Sequence, residues 1–176
     1  IFAQKINIGL FHNQQVTTVL VTPEHGGYHI IKDNRKQYTI GQDELIYISK
    51  IGNLISVRTL NRKLGVYDSF MLKGEESQST FRIKPVFPAL DGRSYDDHLV
   101  FKIRDNHLQI LNHVNFEKYI AGVVETEGGP NASMEYYKSQ AILCRTYAIK
   151  NLNKHQWEGF YLCDGVHCQA YKSRCY

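Results

Sequence analysis

The stretch Leu108-Gln-Ile-Leu-Asn-His-Val-Asn-Phe-Glu-Lys-Tyr-Ile-Ala-Gly-Val-Val-Glu-Thr-Glu-Gly-Gly-Pro130 contains the change of period that decides the fold. Its first residues, Leu108 to Leu111, alternate apolar and polar as a half-buried strand does. From Asn115 the period becomes helical. At about 100° per residue, Phe116, Ile120, Val123 and Glu127 fall within ~60° of one another, a single stripe. Asn115 is a good N-cap, Glu117 sits in the favourable first turn, and Gly128-Gly129-Pro130 ends the element. A helix is expected over 116–127.

Upstream, the chain reads as strand after strand. Val16 to Thr22 is rich in β-branched residues and is expected to stop at Pro23. Tyr28–Ile31 and Gln37–Ile40 flank the turn pair Asp33-Asn34. Leu45–Ser49 and Leu54–Leu60 flank Gly52-Asn53, and His98–Arg104 and Leu108–Leu111 flank Asp105-Asn106. Gly74–Thr80 is polar and reads as a loop. Downstream, a second helix is expected over 134–153. Its core stripe is Tyr137, Ala141, Cys144, Ala148 and Leu152. The remainder has no clear period. The class is therefore α+β: a β-rich N-terminal half, a helical hairpin and an irregular Cys/His tail.

Composition narrows the function. The 176 residues are 43% hydrophobic and 22% charged, enough for a real core and against disorder. The net charge of +4 comes with no clustered Lys/Arg face, which argues against nucleic acid as a partner. No apolar run approaches the ~18 residues of a membrane span. Ile1-Phe-Ala-Gln4 reads equally as the end of a secretory leader and as an arbitrary boundary.

Two features point to chemistry. Glu127 projects from the apolar stripe at the helix C-terminus, where burial and the macrodipole are both expected to favour the protonated form a general acid needs. Glu125, ~180° from Phe116, reads as a solvated charge. On the second helix, Gln140 and Arg145 flank the stripe at about −60° and +80° from Tyr137, placed to reach a cleft. The second feature is the tail. Cys163-Asp-Gly-Val-His167-Cys168, with His155 upstream, offers a Cys2His2 set of the kind that holds structural zinc. A Cys163–Cys168 or Cys168–Cys175 disulfide, or free thiols, are the alternatives.

Three segments carry a resemblance when taken in order: Asn115 to Glu127, Glu135-Tyr-Tyr-Lys-Ser-Gln-Ala-Ile-Leu-Cys-Arg-Thr-Tyr-Ala148, and Cys163-Asp-Gly-Val-His-Cys-Gln-Ala-Tyr171. Together they resemble the stage II sporulation protein D family, which includes amidase-enhancer proteins. Arg93-Ser-Tyr95 looks like that family's lead-in. The resemblance spans about 85–176 and implies a catalytic domain there, behind a β-rich region over 1–84. It also implies an exported enzyme of the periplasm or cell envelope, a lytic transglycosylase that cleaves MurNAc–GlcNAc linkages of peptidoglycan and leaves 1,6-anhydro-MurNAc ends. Glu127 would be its acid, and His155, Cys163, His167 and Cys168 its zinc ligands. Tyr95, Gln140 and Arg145 are the candidates for substrate contact. Gly128-Gly129-Pro130 departs from the family's Met-Pro. The family domain runs on past the Cys-Gln-x-Tyr motif, so the chain is read as truncated at its C-terminus. A hydrolase would need a second carboxylate about 5–9.5 Å from the first. Asp91, Asp96, Asp97 and Asp164 are available, but none lies in a motif. The alternative function is a non-catalytic glycan-binding module that enhances a cell-wall amidase.

Overall fold

The computed structural model describes residues 4–174. The leader reading of Ile1–Ala3 and the Cys168–Cys175 disulfide lie outside the described residues. The strands, in chain order, are β1 (Lys5–Leu10), β2 (Thr18–His25), β3 (Tyr28–Lys32), β4 (Arg35–Ile40), β5 (Ile46–Ile51), β6 (Leu54–Thr59), β7 (Lys63–Tyr67), β8 (Ser69–Gly74), β9 (Thr80–Phe87), β10 (Arg93–Asp96), β11 (His98–Arg104), β12 (His107–Asn115) and β13 (Leu162–Cys163). The helices are α1 (Phe116–Gly128) and α2 (Met134–Lys150).

One sheet has the order β13-β1-β12-β11-β8-β3-β4 and the other β10-β9-β2-β5-β6-β7. Alternation puts one side of each strand inside: Ile46 and Ile48 of β5, and Ile55 and Val57 of β6, are wholly buried. The inner faces of both sheets belong to one continuous apolar core. The three expected hairpins form. Asp33, Asn34, Asp105 and Asn106 all take positive φ, the conformation a two-residue turn needs to match strand twist.

Three boundaries differ from expectation. β2 passes through Pro23 to His25, because β5 pairs only with Thr18–Val21 and so asks for no N–H at Pro23. Positions 84 and 85 fall inside β9, and both sheets draw strands from either side of that point. α2 ends at Lys150, where the Asn151 side chain donates to the Tyr147 carbonyl, rather than at 153.

β12 runs into α1 without a linker. The Asn115 side chain accepts from the Glu117 and Lys118 N–H groups, and its own N–H is held by Asp97 at 2.7 Å. α1 buries Tyr119, Ile120, Val123 and Val124, whereas α2 buries only Cys144 and Ala148. Met134, Ile142, Leu143 and Ile149 leave the outer face of α2 apolar and exposed. The chain after β13 lies across α1 at Gly122. A Cβ there would stand 2.5 Å from the Ser173 carbonyl oxygen, so only glycine permits the approach.

Candidate functional site

Glu127 stands where α1, α2 and the tail meet. Its Oε1 accepts from the Ala170 backbone N–H at 3.0 Å, and its Oε2 accepts from Gln140 Nε2 at 3.2 Å. The Cys144 thiol approaches Oε2 at 3.7 Å. Burial, and then the neighbouring carboxylate, push that thiol up to about 11, so it stays protonated and donates. The turn after α1 is braced by Tyr137, whose hydroxyl donates to the Gly129 carbonyl and accepts from the Ala132 N–H.

The exposures of the two glutamates reverse the expectation. Glu127 is exposed and Glu125 is half-buried. Helical periodicity places a side chain relative to the stripe but does not say how deeply it is covered, and Gln140 and Cys144 of α2 touch the Glu127 carboxylate without enclosing it. Hydrogen bonds from two other segments, not burial, hold Glu127. Glu125 lines a groove of about 540 Å³ between the helices, floored by Ile120, Val124 and Ala141. Arg145 also lines this groove and pairs with Glu117 rather than with Glu127. Gln140 does reach the Glu127 carboxylate. Tyr95 is away from any opening. It is fully buried, its hydroxyl donates to the Tyr171 carbonyl, and it packs on the Tyr171 ring, so its place is in the core rather than on a substrate.

Three of the four spare carboxylates are committed elsewhere, and the fourth, Asp91, is exposed beside Lys84 and Leu90. Asp96 and Asp97 are buried beside Lys118, with Arg174 on the first and Lys5 on the second. Asp164 accepts from the Phe11 N–H at 2.7 Å, the His12 N–H at 3.3 Å and Arg93 Nη1 at 2.7 Å. Burial raises its pKa above the ordinary carboxylate value even against these partners.

His155, Cys163, His167 and Cys168 converge, with one ligand atom from each lying within 4.8 Å of all the others. His167 Nδ1 is 3.9 Å from both sulfurs. Cys144, Cys163 and Cys168 are free thiols. A hydrogen bond between the two tail thiols draws Cys168 down to about 7 and, with burial, pushes Cys163 up to about 12. His155 is buried, its Nδ1 lies 2.6 Å from Glu158 Oε1, and its Nε2 has no hydrogen-bond partner. An unmatched buried ring nitrogen costs about 1–3 kcal/mol unless something binds it. With two soft sulfurs and a second imidazole beside it, the donor set suits a metal ion. Glu158, three residues after His155, escaped the sequence reading although the spacing was a local signal. The Ala170 N–H, a backbone group, left no signal at all.

The family model for SpoIID, stage II sporulation protein, matches residues 104–175. The resemblance seen in the sequence is thus supported over β12, both helices and the tail, while the Arg93-Ser-Tyr95 lead-in lies outside the match. This match associates that part of the chain with cell-wall function. An uncharacterized protein of Brachyspira hyodysenteriae (strain ATCC 49526 / WA1) is 31% identical over 159 residues, which is 84% of this chain and 40% of that protein. The chain therefore spans well under half the length of this relative. No solved structure matches it.

Proposed function

We propose that the chain cleaves the MurNAc–GlcNAc linkages of peptidoglycan glycan strands as a lytic transglycosylase, with Glu127 as the single acid and base. The observation that carries this is the grip on one exposed carboxylate by Gln140 of α2 and the Ala170 N–H of the tail. A carboxylate oriented by rigid neighbours and open on one side is what proton transfer to a bound polymer requires. Glycan laid over Glu127 would exclude water from the carboxyl group where the proton is transferred. Glu127 then donates to the glycosidic oxygen as the bond to the anomeric carbon breaks. The carboxylate it becomes accepts the proton of the MurNAc C6 hydroxyl, which closes onto that carbon to give the 1,6-anhydro ring. No water enters. The commitment of Asp96, Asp97 and Asp164 to buried ion pairs supports a one-carboxylate mechanism over a hydrolase.

His155, Cys163, His167 and Cys168 would hold zinc. Four protein ligands close the coordination sphere, so its contribution is to fix the tail that presents the Ala170 N–H. Such a substrate places the protein outside the cytoplasm, in the periplasm or envelope. The second reading, a non-catalytic enhancer of an amidase, draws on the exposed apolar face of α2, which a partner protein could cover.

One experiment separates the two. Purified glycan strands are incubated with the protein and with Glu127→Gln, and the products are analysed by mass for anhydro ends. Anhydro ends from the first and a loss of ~10²–10⁴-fold in the second are expected. Binding without anhydro ends would select the enhancer.

A further inference from the structure

We propose that Glu158 and His12 form an outer shell for the Cys/His cluster and set its affinity for metal by fixing the tautomer of His155. This rests on the metal reading given above and deepens it.

A carboxylate only accepts hydrogen bonds, so the 2.6 Å contact of Glu158 Oε1 with His155 Nδ1 puts the imidazole proton on Nδ1. The lone pair is then on Nε2, the ring atom without a partner. A ring presented in this tautomer needs no rearrangement before it ligates. The second oxygen of Glu158 is 3.1 Å from His12 Nε2, so the same carboxylate is itself held from the other side. His12, His155 and Glu158 could be taken for a second cation site. The 2.6 and 3.1 Å separations are hydrogen-bond lengths, and both carboxylate oxygens are spent on them, which assigns the trio to support.

The surroundings hold this arrangement from two neighbouring strands of one sheet, β1 and β12. Gln109 of β12 donates to the Glu158 carbonyl at 2.8 Å, which anchors the turn that carries the carboxylate. The Phe160 ring stacks on His155 at 4.8 Å and 17°, in space that Gly9 of β1 leaves open. Phe11 takes φ +52, a costly conformation for an aromatic residue, where the Asp164 carboxylate holds its N–H and that of His12. That turn delivers His12 to Glu158. The Cys/His cluster of the C-terminal segment is thus supported by a histidine of the turn after β1, far outside the residues that match the family.

The test measures zinc affinity by competition with a chromophoric chelator, together with the visible spectrum of the cobalt-loaded protein. Both are made on the whole chain, with thermal melts to confirm folding. Glu158→Ala is expected to weaken zinc binding by ~10–100-fold and to shift the cobalt spectrum as His155 reorients. Glu158→Gln, which keeps an acceptor oxygen, should recover part of that loss. His12→Phe should weaken binding by less than Glu158→Ala, and by nothing further when combined with it. Zinc affinity within twofold of wild type in both Glu158→Ala and His12→Phe, with Cys163→Ser abolishing uptake, would overturn this proposal and leave the metal reading standing. If Glu158→Ala does not fold, His12→Phe decides alone. A wild-type chain that takes up no zinc would overturn both.

Discussion

Gly122→Ala should loosen the tail from α1. An alanine Cβ would stand 2.5 Å from the Ser173 carbonyl oxygen and 2.6 Å from the Tyr171 ring. Reaching even ~3.0 Å requires a retreat of ~0.5 Å, and overpacking of this kind costs about 1–3 kcal/mol. The substitution regains ~1 kcal/mol, because alanine suits a helix better than glycine. The balance is a loss of ~1 kcal/mol, or ~2–4 °C in Tm for a chain of this size. The more specific effect is local. Ala170 N–H to Glu127 and Lys172 N–H to Thr126 both lie on the segment that must move. Their amide protection in hydrogen exchange should therefore fall by more than the global change accounts for, and any glycan cleavage should fall with it. A rise in Tm with unchanged exchange at 170 and 172 would show that helix propensity outweighs the contact and that the tail does not bear on α1 as described.

Glu125→Gln should leave glycan cleavage within a few-fold of wild type, assayed beside Glu127→Gln; equal losses in the two would refute the choice of acid. Tyr95→Phe should cost ~0.5–1.5 kcal/mol in denaturant titration by losing its bond to Tyr171, with no change in glycan affinity. Burial, and then Lys5, hold the His98 pKa at about 4 against 6.5 unfolded, so the unfolded chain takes up a proton that the native one refuses. Its contribution is therefore complete above pH 6.5 and is lost as pH falls towards 4; urea midpoints of the protein and His98→Gln across that window should converge at low pH. Prolonged chelation should lower Tm and expose Cys163 and Cys168 to thiol reagents before Cys144.

What could be read in the sequence was what depends on neighbours along the chain. Asp-Asn pairs with positive φ announced two of the hairpins, and Asn115 and Gly129 bounded α1. The Cys/His spacing gave a set of residues that do converge. What depended on distant segments was hidden. Lys5–Leu10 has an unremarkable pattern, and its role comes from pairing with β12 on one side and β13 on the other. The burial of Tyr95 is made by Tyr171, and the carboxylate of Glu127 is held by Gln140 and the Ala170 N–H, both from other segments. Asp164 read as a spare carboxylate because its partners, Arg93 and the 11–12 backbone, are remote in sequence.

The parallel pairing of β13 with β1, Ile8 to Leu162 and Gly9 to Cys163, also orders events during synthesis. On the ribosome β1 emerges well before the partner for its outer edge, because some 154 residues separate Ile8 from Leu162. Until then β1 presents unpaired N–H and C=O groups to any other nascent chain, the hazard of an open edge. Closing a loop over most of the chain is slow, since contacts so far apart in sequence restrict the chain before they reward it. The Cys163–Cys168 turn thus acts as a late latch. A chaperone that shields the first strand should raise the yield of the finished protein more than one that binds the helices.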